Sequence, residues 1–440
     1  MQPNIIIIMC DTLRKSIMDR YGGPAKLPNI NAFARDSMVY DNCIAPATWT
    51  FPTHTSMFTG MYANEHGVHE TKRMKIAEMA EANTKLKATR LAETLESKGY
   101  NTICVSNNFM ISRHTGFDYG FKTFITLESS PWSQSKIATE AREIGMDPMQ
   151  VFSKLVVKGR FNDILRYAKE MQRIKMITKA HNYPLNKGAE FTNELLFNST
   201  LNQKFFLFIN FWEMHEPYVG FSDKEMLENL SDIKKFSEAK VAFLKQQYVN
   251  EGEFLDAQLG KFFSMLKLRG IYENSMIILT SDHGQSFNEH GFMYHGVYLY
   301  DEIVRIPLII KYPNSKKFRK RSGYQSLVNV PKLIKRILAG GDDSAITTDS
   351  AFAEAYGGIE FIPESYEHVR HYMEEKYDKV RKAVYSGGYK LTLNGTDGTI
   401  EEFSKDGKEI SKENNQKVLK SLVNQIDEFR GEEKFKLPRI

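Results

Sequence analysis

The run Asn-Ile-Ile-Ile-Ile-Met-Cys at residues 4–10, followed at once by Asp11, decides the fold class. Its apolar side chains do not alternate with polar ones, which is typical of a strand buried on both faces of a parallel sheet. The run lacks a basic flank and is too short for a signal peptide or for a membrane span of about 20 residues. It therefore predicts an α/β fold built around this strand.

Further apolar runs alternate with helical patterns along the chain. The predicted strands after the first are 101–105, 204–211, 276–281 and 303–311, and the predicted helices are 29–36, 88–98, 189–197 and 239–267. Apolar strands separated by amphipathic helices indicate a mostly parallel central sheet covered by helices on both faces.

The domain organisation follows from changes in this alternation. Residues 1–340 are predicted to form the main domain, and 131–181 within it a helical insertion that could act as a lid. Residues 341–440 are more polar and contain short strand patterns at 382–390 and 390–403, joined by Gly and Asn-Gly turns, then a helix at 412–429. This pattern predicts a small C-terminal α+β subdomain.

Composition narrows the class of protein. The 440 residues are 42% hydrophobic with a formal net charge of +5, which excludes wholesale disorder and a nucleic-acid-binding footprint. The three cysteines cannot form a disulfide framework, and no segment is apolar enough for stable membrane insertion. A cytoplasmic location is the expectation, and the oligomeric state is left open, a homo-oligomer included.

Acidic residues and a histidine follow two predicted strands. Asp11 ends the first, and Asp282-His283 ends the strand at 276–281. Ligands of open α/β sheets bind beyond the carboxyl ends of strands, so these side chains can converge. Two carboxylates and an imidazole suit a divalent metal, although either aspartate alone could simply cap a helix.

A hydroxyl group lies at a predicted helix start. Thr50 precedes Pro52 in the segment 50–60, where free N–H groups and the positive end of a helix would favour an anion or an alkoxide. A plain N-cap is the alternative. His215, His290 and His295 also follow strands, which favours a metal or acid–base site over three unrelated structural histidines.

Taken together, these segments resemble the sulfatase family of the alkaline phosphatase superfamily, in a variant with a threonine nucleophile. The resemblance runs in order over about residues 4–311 and rests on these segments: 4–14, 28–31, 50–60, 65–67, 116–118, 205–208, 215–218, 256–260, 281–284, 299–302 and 305–307. It implies a three-layer α/β sandwich with a mostly parallel central sheet.

The resemblance also implies roles for individual residues. Asp11, Asp282 and His283 would bind one divalent metal, and Thr50, the nucleophile, would touch it. His215 and His295 match positions that contact the transferred group or protonate the leaving group. Two further positions would bind substrate: His54, where sulfatases have an arginine, and Asn107, which replaces a positive charge.

Departures from the family pattern shift the expected chemistry. Threonine cannot give the formylglycine aldehyde of sulfatases, because its β-carbon carries a methyl group, whereas a threonine phosphate can still be resolved by water. Thr12 replaces a second acidic ligand and His283 replaces a frequent asparagine. Fewer carboxylates plus an imidazole favour manganese or zinc over calcium or magnesium.

The sequence therefore predicts a metal-dependent hydrolase that cleaves a small anionic phosphate mono- or diester through a covalent Thr50 intermediate. The alternatives are an arylsulfatase, a transferase of a phospho-headgroup, and an inactive anion-binding protein. The transferase is disfavoured because such relatives are usually membrane-anchored. The inactive protein is disfavoured because Asp11, Thr50, Asp282 and His283 are all present.

Overall fold

The computed structural model describes residues 2–70, 76–126, 186–201, 204–315, 319–357 and 367–439. The predicted insertion at 131–181 lies outside the described residues.

A nine-stranded sheet forms the centre of the main domain. In chain order the strands of this domain, including a separate two-stranded ribbon (β7, β8), are β1 Asn4–Cys10, β2 Met38–Ile44, β3 Asn101–Ser106, β4 Thr123–Thr126, β5 Phe205–Phe211, β6 Ser275–Thr280, β7 Ser286–Phe287, β8 Met293–Tyr294, β9 Arg305–Lys311, β10 Arg319–Ser326 and β11 Thr347–Thr348. The order across the sheet is β11-β10-β2-β9-β6-β1-β5-β3-β4. Strand β9 runs antiparallel to both of its neighbours, and β11 runs antiparallel to β10. The other pairings are parallel, which confirms a mostly parallel sheet.

Strand β1 lies between β5 and β6 and is buried along its whole length. Its isoleucines are fully buried, as the unbroken apolar run predicts. The described helices are α1 Pro28–Arg35, α2 Thr50–Thr59, α3 Ala63–His66, α4 Ile76–Lys85, α5 Leu91–Ser97, α6 Ala189–Asn198, α7 Asp223–Leu230, α8 Glu238–Leu268, α9 Asp301–Val304, α10 Val330–Leu338, α11 Glu367–Tyr377 and α12 Gln416–Arg430.

Strand β2 was not among the predicted strands. Its middle residues Asp41 and Asn42 are polar, and they coincide with a register shift in the pairing with β9 between Tyr40 and Cys43. A bulge interrupts the alternation of side chains that sequence patterns rely on, which is why the pattern is weak here.

A small antiparallel sheet follows the main domain. Its strands are β12 Ser350–Ala355, β13 Arg381–Ser386, β14 Tyr389–Asn394, β15 Thr399–Lys405 and β16 Lys408–Glu409. Helix α12 packs on this sheet around a separate apolar cluster that includes Leu391, Phe403 and Ile426. The predicted strand runs at 382–390 and 390–403 are thus three strands. The last strand of the main sheet lies beyond residue 340, and the domain division itself stays a prediction.

Candidate active site

Asp11 and Asp282 lie side by side because β1 and β6 are neighbouring parallel strands. Asp11 directly follows β1, and Asp282 comes just after β6. Both side chains are fully buried, and the backbone N–H of Thr12 donates to Asp282 Oδ1 at 3.0 Å. The convergence expected from the sequence is therefore present.

His283 completes this cluster. Its Nε2 lies 3.5 Å from Asp282 Oδ2 and 3.9 Å from Asp11 Oδ1. Its Nδ1 lies 2.9 Å from the Gly284 carbonyl oxygen, so Nδ1 carries the proton and Nε2 carries the lone pair. Among the described residues, Asp282 Oδ2 and His283 Nε2 are buried without a hydrogen-bond partner. Two such orphaned acceptors, facing one another, fit a divalent cation held by Asp11, Asp282 and His283.

The protonation states of the cluster also favour a bound cation. Burial, with the neighbouring Asp11 carboxylate, raises the pKa of Asp282. Burial works against ionisation of Asp11 too, but His215, His283 and the Asn108 amide together hold the pKa of Asp11 below its usual range. Burial also lowers the pKa of His283 to about 4. A neutral imidazole beside two crowded carboxylates is the protonation state that metal binding requires.

Thr12 is held in an unusual backbone conformation next to the cluster. Its φ of 65° lies in the left-handed region, which is unfavourable for a β-branched residue. Three hydrogen bonds hold it there: its N–H to Asp282, its hydroxyl to Asp11 Oδ1 at 2.9 Å, and the Tyr248 hydroxyl to its carbonyl oxygen at 2.6 Å. This strained turn directs the Asp11 side chain toward Asp282.

Thr50 is the first residue of α2 and is 3% exposed. The Asn108 side chain links it to the acidic cluster, because Asn108 Nδ2 donates to Asp11 Oδ2 at 2.7 Å and lies 3.4 Å from Thr50 Oγ1. The Met110 N–H donates to Asn108 Oδ1 at 2.8 Å, which fixes the orientation of the amide. A hydroxyl at a helix start, beside a candidate metal cluster and an oriented N–H donor, is suited to act as a nucleophile.

His54 lies one helical turn after Thr50, and protein groups occupy both of its ring nitrogens. Nδ1 lies 2.8 Å from the Thr50 carbonyl oxygen and 3.7 Å from Asp282 Oδ2, and Nε2 lies 3.3 Å from Asn210 Nδ2. Asn210 Nδ2 is also 3.4 Å from Asp11 Oδ2. The His54 ring therefore supports Thr50 and the acidic cluster through these contacts.

A second group of donors lies beside the first. His215, Glu216 and His295 have ligand atoms that could share an ion, and the His215 and His295 ring centroids are 5.1 Å apart. His295 lies against His283, with ring centroids 4.4 Å apart, and His295 Nδ1 is 2.6 Å from Gln285 Oε1. Burial lowers the pKa of His295 well below its usual value, so this ring is neutral at pH 7.

Two predicted residues are placed differently from the rest. Asn107 is buried, and its Oδ1 accepts from the Thr192 hydroxyl at 3.0 Å rather than from Thr50. His290 is an exposed side chain that pairs with Glu302 and stacks on Tyr300, apart from the other histidines.

Asn108 and Asn210 are the site residues that sequence reasoning missed. The signal was available, since Asn107 and Asn108 are adjacent at the end of β3 and Asn210 lies near the end of β5. Which of two consecutive asparagines turns toward Thr50 depends on the backbone after β3, which composition does not reveal.

The fold and this donor set place the chain in the alkaline phosphatase-like class of α/β proteins. The model of the sulfatase family matches residues 3–337, and the chain belongs to that family. Members of the family use a metal ion, and the cluster around Asp11 is suited to hold one.

Individual relatives are distant. The chain is 22% identical over 349 residues to the uncharacterized sulfatase YidJ of Escherichia coli, covering 72% of this chain and 64% of that one. It is 22% identical over 408 residues to an N-acetylglucosamine-6-O-sulfatase of Bacteroides thetaiotaomicron, covering 81% of this chain and 67% of that one. The chain thus spans about two thirds of the length of these relatives.

Solved structures confirm the fold. The phosphonate monoester hydrolase of Agrobacterium radiobacter superposes with a TM-score of 0.66 at 15% identity, covering 97% of this chain and 95% of that one. Within the described residues, no helix combines the length and the apolar character needed to cross a membrane.

Proposed function

We propose that this protein hydrolyses a small phosphate ester, a mono- or diester, with Thr50 as the nucleophile. The observation that carries the proposal is the buried Asp11–Asp282–His283 cluster, with two orphaned acceptor atoms, linked to the Thr50 hydroxyl by Asn108. Burying unpaired polar atoms is costly, so a cluster of this kind beside a hydroxyl indicates a functional site rather than ordinary core packing.

In this proposal Asp11, Asp282, His283 and the Thr50 hydroxyl would hold one divalent metal ion, and the imidazole ligand favours manganese or zinc. When bound, such an ion lowers the pKa of a hydroxyl and offsets negative charge on a phosphoryl group. The side chains of the chain itself orient the reacting atoms, as follows.

Thr50 Oγ gives up its proton to solvent and forms a bond to phosphorus, while the bond from phosphorus to the leaving oxygen breaks. The Asn108 N–H and the first N–H groups of α2 stabilise the negative charge that develops on the reacting oxygens. His215, which retains 15% side-chain exposure, supplies the proton to the leaving alcohol. Water then attacks phosphorus and gives a proton to the Nε2 lone pair of the neutral His295, while the bond from phosphorus to Thr50 Oγ breaks and Oγ regains a proton from solvent.

Sulfate ester hydrolysis is the second candidate. It is favoured by the family match and by the sulfatase names of the relatives. It requires that sulfate be released from an unmodified threonine. Thr50 cannot form a geminal diol from which sulfate could be expelled. Phosphate therefore remains the preferred group in the proposal, and the headgroup transferase and the inactive anion-binding protein remain lesser alternatives.

The deciding experiment compares 4-nitrophenyl phosphate, bis(4-nitrophenyl) phosphate, 4-nitrophenyl phenylphosphonate and 4-nitrophenyl sulfate, each with added Mn²⁺ or Zn²⁺. We expect turnover of a phosphorus ester that falls by at least about a thousandfold in Thr50→Ala, because the nucleophile is lost. Thr59→Ala, which changes the same residue type in the last turn of the same helix, is expected to keep wild-type turnover.

Sulfate turnover that exceeds all phosphorus esters would replace the first candidate by the second. Full activity of Thr50→Ala would remove Thr50 from the mechanism. Thr50→Ser keeps a hydroxyl in place and is expected to retain part of the activity, which separates loss of the nucleophile from loss of the fold.

A further inference from the structure

Two aromatic side chains lie at the edge of the candidate active site. Phe109 follows Asn108 at the end of β3, and Trp212 directly follows β5. Strands β3 and β5 are parallel neighbours, so both rings lie beyond the carboxyl ends of the sheet. Their ring centroids are 6.1 Å apart and the rings are nearly perpendicular, at 85°, so they form a corner.

This aromatic corner, Phe109 and Trp212, is continuous with the polar site. On one side, the Trp212 ring centroid is 5.1 Å from the centroid of His215. On the other side, Phe109 is bonded in the chain to Asn108, whose Nδ2 lies 3.4 Å from Thr50 Oγ1. A group attached to an ester held at Thr50 would therefore extend toward the two rings.

Each of the two side chains has a surface or a polar atom that no described residue contacts fully. Phe109 is 36% exposed although it adjoins fully buried polar groups, and packing alone would favour covering it. The indole Nε1 of Trp212 is buried yet has no hydrogen-bond partner among the described residues. Buried indole N–H groups usually find an acceptor, and a ligand oxygen would supply one.

We propose that the aromatic corner is the subsite for the alcohol part of the substrate, and that this part carries a six-membered ring. This inference rests on the proposed function, because it assigns the far end of the same ester. A flat aryl group or the apolar face of a sugar stacks on such rings, whereas a short acyclic alcohol leaves them uncovered. An oxygen on the ring-bearing group would accept the indole N–H.

The test compares three primary-alcohol esters whose leaving groups differ little in acidity: benzyl phosphate, glucose 6-phosphate and ethyl phosphate. Phe109→Ala and Trp212→Ala are expected to raise KM about five- to tenfold for a ring-bearing ester, with little change for ethyl phosphate and in kcat. Trp212→Phe is expected to restore most of the affinity. Benzyl phosphate and glucose 6-phosphate separate an aryl from a sugar occupant.

Phe197→Ala is the matched control. Phe197 is 60% exposed near the end of α6, whose chain continues to the amino end of β5 at the opposite edge of the sheet. It should leave all three KM values unchanged. Equal changes in KM for ring-bearing and ethyl esters, or no change in KM in either corner variant, would overturn the inference. The proposed function would still stand in that case if turnover depended on Thr50.

A binding measurement keeps the two proposals separable if no ester is turned over. The affinities of wild type, Phe109→Ala and Trp212→Ala for benzylphosphonate and ethylphosphonate are compared by calorimetry. Selective loss of benzylphosphonate affinity in the corner variants would support the subsite in the absence of the proposed reaction. Equal affinities of wild type for the two phosphonates would reject it.

Discussion

Asn108 is held at both ends of its amide group, and this fixed orientation distinguishes it from Asn107. Its oxygen accepts from Met110, and its nitrogen reaches Asp11 and Thr50. An N–H donor placed in advance at a nucleophile lowers the barrier more than a donor that must first reorient.

Asn108→Ala is therefore expected to lower kcat by about 10²- to 10³-fold, the usual effect of removing one oriented donor at a reacting oxygen. The measurement is steady-state kinetics on the best ester of the panel. Asn107→Ala is the comparison, since Asn107 contacts Thr192, and its kcat should change far less. Equal losses in the two variants would show that the amide of Asn108 has no special position.

Tyr248 supports the strained turn at Thr12. Its hydroxyl donates to the Thr12 carbonyl oxygen at 2.6 Å and accepts from the Arg14 N–H at 2.8 Å. Tyr248→Phe leaves both backbone groups buried without this partner, so the free energy of unfolding should fall by about 1–3 kcal/mol. Urea denaturation measures it; a change below about 0.5 kcal/mol would mean that other groups or water satisfy the turn.

At the level of single residues, the sequence predicted the types of side chain but not their orientation. Asp11, Asp282 and His283 are predictable because each lies within about three residues of the end of a strand, and strand ends converge whatever the details of packing. The position of the His54 side chain depends on the phase of α2, and that of Asn108 depends on the turn after β3. Those features arise from local geometry, such as the bond from the Met110 N–H to Asn108, and from tertiary contacts, such as the bond from Asn108 to Asp11.

Helix α2 is anchored at its start by a contact from outside the helix. Trp49, which precedes Thr50, donates its indole N–H to the buried carboxyl group of Glu70, and Glu70 also accepts from the Tyr356 N–H. Burial raises the pKa of Glu70 to about 7. The folded protein therefore prefers Glu70 protonated.

This preference makes stability depend on pH. A rise from the ordinary 4.5 to about 7 corresponds to about 3 kcal/mol at roughly 1.4 kcal/mol per pKa unit. Since the folded-state pKa is the higher one, the contribution is complete below about pH 4.5, declines as pH rises, and is lost above about pH 7. Burial raises the pKa of Glu213 to about 7 as well, so it adds a similar slope.

Glu70→Gln is expected to reduce the loss of unfolding free energy between pH 5 and pH 8, because the amide stays neutral throughout. Denaturation curves across this range measure the slope. Glu96→Gln, a change on the exposed face of α5, should leave the slope as in wild type. A slope that is the same in Glu70→Gln and wild type would contradict the protonated state.

Elements differ in how far the sequence specifies them. Strand β1 is predictable because an unbroken apolar run has one stable place, the middle of a parallel sheet. Strand β2 escaped prediction because its polar residues Asp41 and Asn42 lie at a register shift. The antiparallel direction of β9 is set by its connection to β6 and has no signature in its own residues.

Metal binding should stabilise the whole molecule. Asp282 Oδ2 and His283 Nε2 are buried without a hydrogen-bond partner among the described residues, and a bound cation would pair with both. After chelation, added Mn²⁺ or Zn²⁺ is expected to raise the melting temperature, with about 2.7 kcal/mol gained at a hundredfold excess over Kd. The gain should shrink at acidic pH, because protons compete for the ligands.

Differential scanning calorimetry with and without metal checks this expectation. Asp282→Asn should abolish the metal-dependent shift, whereas Asp349→Asn, at an exposed position in the loop before β12, should retain it. A larger shift with Ca²⁺ than with Mn²⁺ or Zn²⁺ would contradict the preferred metal. Absence of any shift would remove the ion from the site.

The contact between the small antiparallel sheet and the segment before Thr50 has a consequence for dissecting the chain. The N–H of Glu354, on β12, donates to the Pro46 carbonyl oxygen at 2.9 Å, and the Glu354 carboxylate accepts from the Asn64 N–H at 3.2 Å. A fragment that stopped where the family match stops, at residue 337, would lose β12 and with it these contacts to the segments before and after Thr50. Truncation experiments must therefore treat the residues after 337 as part of the support for the Thr50 segment rather than as a detachable appendage.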